Sequence, residues 1–144
     1  MTTHQDTVYA AGFETAGSIT GNVIGSLEGN VIGGLTGGVK LPTQVLAASG
    51  PITIKSGVVL LTNADGVVEA TLAAPTATTD DGKILYIVST TAKAHTITAT
   101  PGGFNAGGES SDVATLGAAI GNGLVVVAYQ GAWYVLANTN ATIE

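Results

Sequence analysis

Residues Gly17 to Val39 read GSITGNVIGSLEGNVIGGLTGGV. Glycine stands at Gly17, Gly21, Gly25, Gly29, Gly33 and Gly37. An aliphatic residue stands at Ile19, Val23, Leu27, Val31, Leu35 and Val39, so both series advance by four without a break. A period of eight overlies them, because Gly21-Asn22-Val23-Ile24-Gly25 returns as Gly29-Asn30-Val31-Ile32-Gly33. A glycine inside a helix costs about 1 kcal/mol relative to alanine. Six of them beside β-branched residues rule out a stable helix.

As extended chain the pattern is coherent. Successive side chains of a strand alternate faces, so all odd positions share one face. On that face bulky aliphatics alternate with glycine. The even face carries Thr20, Asn22, Ser26, Glu28, Asn30 and Thr36, with Ile24 and Ile32 as exceptions. One such strand is not stable alone in water. Three identical strands about a threefold axis would be, with the aliphatics filling the axis in layers. The glycines would let the backbones approach closely or turn. Fully extended, the stretch would reach about 75 Å at ~3.3 Å per residue, and a wound fibre would be shorter. A flexible glycine-rich linker has no reason to hold aliphatics at a strict interval. The expected trimer interface is therefore Ile19, Val23, Leu27, Val31, Leu35 and Val39, in a triple-stranded fibre or β-prism.

Composition supports an assembly. The 144 residues suffice for one domain plus an appendage. Only 10% are charged, against roughly 25% in ordinary soluble domains. Mean hydropathy is +0.43, so much apolar surface must be hidden. No window approaches the roughly 20 apolar residues of a spanning helix, so membrane insertion is not expected. MTTHQDTVYAAGF shows neither a basic nor an apolar leader region, so no signal peptide is expected. Burial against other copies remains. The net charge of −6, with four lysines and no arginine, disfavours nucleic acid as a partner.

Lys40-Leu41-Pro42-Thr43 breaks the period, and residues 40–50 read as a linker. Beyond it, strands are expected over Pro51–Leu61, Val67–Ala73, Lys83–Ser89, His95–Thr100, Asp112–Leu116, Gly123–Tyr129 and Ala132–Asn138. Turn signals separate them, and Gln130-Gly131 predicts a tight hairpin between the last two. Residues 51–144 thus read as a small β-sandwich or jelly-roll head. Alternation nominates Ile84, Tyr86, Val88, Ile97, Val125, Val127, Trp133 and Val135 for its core. Trp133, the single tryptophan, is expected at a sheet edge or subunit interface rather than stacked on a sugar.

Residues 1–16 belong to neither module and read as a partner-binding tail. Free in solution such a polar segment would be disordered. Thr3, His4, Val8, Tyr9 and Phe13 are its candidate contacts, with the two aromatics as apolar anchors.

No catalytic constellation emerges, and an enzyme is not expected. There is no cysteine, which excludes thiol catalysis and Cys-based zinc sites. No nucleophile elbow or phosphate-cradling loop is present. His95 is expected at a surface or interface. Asp80-Asp81 is expected in a solvated turn rather than as an acid–base pair. Asn63-Ala64-Asp65-Gly66 lacks the carboxylates of a calcium loop. Neither a metal nor a cofactor is expected.

The run GNVIGSLEGNVIGGLTGGV resembles the Gly-Asn-Val-x-Gly repeats of trimeric bacteriophage fibre proteins. The ending GLVVVAYQGAWYVLANTNATI is similar to the last hairpin of the small β-domains that cap such fibres. The resemblance covers Gly17–Val39 and about Gly123–Ile143. It implies a homotrimer with a structural or attachment role on the virion, made in the host cytoplasm. Two roles compete. One is a capsid decoration protein or short head fibre, seated on the major capsid protein by its tails. The other is a short tail fibre whose tip binds host-cell glycans. The short chain, the few aromatics and the lone tail favour decoration at the capsid surface, with weak contact to the host-cell surface as a further role. A non-viral β-rich adhesin or surface-array subunit is the third class, and it would call for an export signal.

Overall fold

The computed structural model describes residues 39–106 and 109–144, which lie within the compact unit Gly37–Glu144. The tail at 1–16 and the repeat up to residue 38 lie outside the described residues.

The described chain is all-β, with no helix. Its twelve strands are β1 Thr43–Leu46, β2 Gly50–Ile52, β3 Gly57–Leu61, β4 Glu69–Ala73, β5 Ile84–Ser89, β6 Thr96–Thr100, β7 Phe104–Ala106, β8 Glu109–Ser111, β9 Val113–Leu116, β10 Gly123–Tyr129, β11 Ala132–Thr139 and β12 Ala141–Ile143. They form a seven-stranded sheet in the order β1-β3-β5-β10-β11-β7-β8 and a five-stranded sheet in the order β12-β9-β6-β4-β2.

The first six strands cross from one sheet to the other in turn. β1, β3 and β5 pair in parallel in the first sheet, and β2, β4 and β6 pair in parallel in the second. The chain thus coils three times before it reverses. Like positions stack along the coils: Leu46 is beside Leu61, which is beside Ser89, and Ile52 is beside Leu72, which is beside Ala99. From β9 onward most of the pairing is antiparallel, and the β10–β11 hairpin completes the larger sheet. This mixed topology departs from an immunoglobulin-type sandwich or a jelly-roll, whose sheets are antiparallel throughout. Parallel neighbours need a long crossover, and here the opposite sheet supplies it.

The two sheets share one core. Val59, Leu61, Leu85, Ile87, Val126 and Trp133 enter it from the larger sheet, and Ile52, Leu72, Ile97 and Leu116 from the smaller. Burying each of these side chains contributes about 1.5–3 kcal/mol. The Trp133 indole N–H donates to the Ala73 carbonyl at 3.1 Å, tying β11 to the end of β4.

Several expectations are corrected. On β5 the buried positions are Leu85 and Ile87, not Ile84, Tyr86 and Val88. On β10 they are Leu124, Val126 and Ala128, not Val125 and Val127. Both stretches are apolar at nearly every position, so alternation leaves their phase open. The pairing of Trp133 with Ala128 and of Val126 with Val135 sets it. Trp133 lies in the core rather than at an edge, at 1% exposure. Pro51–Leu61 is two strands in different sheets, because the chain crosses between Ile52 and Gly57. Thr43–Leu46, inside the expected linker, is the edge strand β1.

The Gln130-Gly131 hairpin forms as the sequence indicates. Both residues take positive φ, 48° and 81°, which suits the twist of a two-residue hairpin turn. Gly57, at φ 114°, admits the Val58 N–H to the Pro42 carbonyl at 2.8 Å. A β-carbon at Gly57 would collide with that carbonyl.

Candidate interaction surfaces

Of the expected trimer-interface residues, Val39 alone is described, and it stands 72% exposed. Ile19, Val23, Leu27, Val31 and Leu35 lie outside the described residues, as do the tail contacts Thr3, His4, Val8, Tyr9 and Phe13.

The outer faces of the two sheets differ in chemistry. The smaller sheet presents a threonine ladder to solvent: Thr71 pairs with Thr98, Thr96 with Thr115, and Thr115 with Thr142. Glu69 stands beside Thr96 on the same face. Hydroxyls with an occasional charge make an ordinary solvated surface.

The larger sheet presents apolar residues. β1, β3, β5, β10 and β11 contain no charged residue at all. Their outward positions fall into aligned rows. Val45 is beside Leu60, which is beside Val88. Val58 is beside Tyr86, which is beside Val125. Ile84 is beside Val127, which is beside Tyr134. Tyr129 and Tyr134 tilt against each other, with ring centroids 6.3 Å apart. Val45, Tyr86, Tyr129, Tyr134 and Leu136 are exposed. Sequence reasoning placed Tyr86, Val125 and Val127 in the core. Their hydrophobicity was legible, but the face they occupy was not.

His95, Asp80, Asp81 and Lys55 each make hydrogen bonds within the fold. His95 is fully buried rather than at a surface. Its Nδ1 accepts the Val68 N–H at 2.8 Å, so the ring proton sits on Nε2, 2.8 Å from Thr91 Oγ1. The Thr91 hydroxyl in turn donates to the Asn63 carbonyl at 2.9 Å. Burial, and then the charge of Lys93, push the His95 pKa down from its usual value, which keeps the ring neutral.

Asp80 is buried at 5% exposure, not solvated. It accepts the Thr76 N–H and the Lys83 ammonium, each at 2.7 Å. The Lys83 hydrogen bond, then that from Thr76, holds its carboxyl below the usual aspartate value. Asp81 accepts the Gln130 backbone N–H at 2.7 Å and the Gln130 side-chain amide at 2.6 Å, bracing the hairpin. The two carboxylates thus serve separate structural bonds. Lys55 donates to the Ala73 carbonyl at 2.7 Å and lies 5.9 Å from the Trp133 ring centroid. Burial lowers its pKa against the opposing pull of Asp80.

Among the described residues, no group of three or more His, Cys, Asp or Glu side chains is placed to hold a metal ion. No helix among them is long and apolar enough to cross a membrane. No protein-family model matches the chain, and no curated protein matches it significantly.

Proposed function

We propose that this chain is a non-enzymatic structural protein of a bacteriophage virion, a homotrimeric capsid decoration protein or short head fibre. The observation that carries the reading is the unbroken period of four from Gly17 to Val39. That pattern suits strands wound about a shared axis, and its resemblance is to phage fibre repeats. The charge-free strands of the larger sheet are in keeping with a chain built to lie against protein.

In this reading the tail, with Thr3, His4, Val8, Tyr9 and Phe13, grips the major capsid protein. Ile19 through Val39 hold three copies together, and the β head projects outward. The mechanism is mass action. A ligand that binds the assembled shell but not its dissociated subunits stabilises the shell. Three tails on one trimer engage at high effective concentration, so modest contacts per tail suffice.

The test is the mass of the full chain in solution by light scattering, followed by sedimentation with capsids that lack it. The expected result is a trimer that co-sediments with the shells. A trimer that ignores shells and binds host cells would move the assignment to a tail fibre, and a monomer would overturn both.

A further inference from the structure

We infer that β1 is a pairing edge, on which β1 of a second copy of this chain lies antiparallel and joins two seven-stranded sheets into one. The inference goes beyond the trimeric reading above and does not depend on it.

The open edge of a sheet offers unpaired N–H and C=O groups to any extended chain, and natural proteins block such edges. The two sheets have four edge strands, β1, β8, β2 and β12. Three of them carry a block. β8 is three residues long and contains the charged Glu109. On β2, Pro51 has no N–H to offer. Its carbonyl accepts Gln44 Nε2 at 2.9 Å, and the Thr53 N–H donates to Gln44 Oε1 at 2.8 Å, so one side chain covers that edge. On β12, Asn140 and Glu144 bond to β9, which turns Ala141 outward. The Asn138 amide closes on it, accepting the Ala141 N–H and donating to the Ala141 carbonyl, each at 2.8 Å.

β1 has no such device. Thr43–Leu46 contains neither a charge nor a proline. The Val58 N–H donates to the Pro42 carbonyl and the Thr62 N–H to the Leu46 carbonyl, at 2.8 and 2.9 Å. In a parallel ladder that phase turns the backbone groups of Gln44 and Leu46 toward β3. The N–H and C=O of Thr43 and Val45 therefore point away from the sheet, and among the described residues nothing bonds to them. Both residues are exposed. What four such groups call for is another extended backbone.

A second β1 answers all four. With the strands antiparallel and Thr43 of one copy opposite Val45 of the other, the two residues exchange both bonds. A twofold axis at Gln44 repeats the exchange, so every free group on each copy is paired. The other edges of a second copy are blocked, which leaves β1 as the edge that can answer. Thr43 and Val45, both β-branched, meet side by side across the join. The contact is isologous, so it joins copies two at a time and doubles whatever unit the repeat makes.

The test uses the full-length wild type, Val45→Pro and Val45→Lys, each weighed by light scattering when dilute and when concentrated, with backbone amide exchange followed in both states. Proline removes an N–H on the free side, which an edge strand tolerates, and lysine charges the edge. The expected wild type rises in mass toward paired units on concentration. Its Thr43 and Val45 amides should then exchange at least about tenfold more slowly than when dilute. Both variants should keep the wild-type circular dichroism and the smaller mass. A wild type of constant mass with freely exchanging Thr43 and Val45 amides overturns the inference and leaves the trimeric reading standing. Constant mass with equal protection in both states also overturns it, since the edge is then covered within the smaller unit. A rise in mass that persists in both variants places the association elsewhere and overturns it too. A dilute monomer that doubles on concentration overturns the trimer and leaves this contact standing.

Discussion

The backbone N–H of Val68 donates to Nδ1 of His95 across 2.8 Å of buried interior, linking the chain just before β4 to the start of β6. A protonated ring has no lone pair at Nδ1, so this bond exists only with neutral histidine. The folded pKa is below the usual 6.5, and the unfolded chain takes up the proton first as pH falls. Stability is therefore level above about pH 6.5 and declines as pH drops from there toward the folded pKa. Thermal unfolding scanned from about pH 7.5 to about pH 5 should show a falling midpoint, with the fall much reduced in His95→Gln. An equally steep fall in that variant would show that another group is responsible.

Trp133→Phe removes the indole N–H that reaches Ala73 and leaves a smaller ring in the core. The Ala73 carbonyl keeps its bond from Lys55, so no buried acceptor is orphaned. The expected loss is about 1–2 kcal/mol in urea unfolding followed by circular dichroism, whereas Trp133→Ala should cost about 3–5 kcal/mol. Equal losses for the two variants would contradict the packing described for this side chain.

Gly57→Ala confronts a positive φ and the Pro42 carbonyl at once. The Val58 N–H bond to Pro42 that starts the β1–β3 pairing should be lost. A destabilisation of at least about 1 kcal/mol is expected. Amide exchange should accelerate at Val58 and its neighbours in β3 more than in β10. Unchanged exchange at Val58 would mean that β1 does not depend on this contact.

Val31→Asp would place three carboxylates on the proposed axis. Unpaired buried charge costs about 3–5 kcal/mol per site, so the trimer should dissociate or expand. A Val31→Asp chain that sediments as a normal trimer would remove the axial packing of the repeat.

Deleting residues 2–13 should leave the trimer and the head intact while abolishing shell binding. A truncated trimer that still coats capsids would exclude the tail as the anchor.

How far the sequence could be read depends on range. Gln130-Gly131 is a local instruction: a two-residue gap ending in glycine between two apolar runs marks a hairpin, and Asp81 braces Gln130 at its positive φ. The all-β character follows likewise from short β-branched runs and repeated turn signals. The burial of His95 is not legible locally, because it depends on partners at Val68 and Thr91 that no local pattern announces. The same holds for Asp80, whose environment is made by Thr76 and Lys83 folding around it.

The sequence by itself determined the all-β character, the hairpin and the strict spacing of the repeat, because these rest on backbone preference and side-chain period within a few residues. Only the tertiary structure decided that the chain coils between two sheets, and which face of Ile84–Ser89 and Gly123–Tyr129 is buried. Where every position is apolar, period two marks neither side as the inside. The choice falls to long-range pairing, in which Trp133 opposite Ala128 turns one face of the sheet into the core and leaves Tyr86 and Val125 on the other.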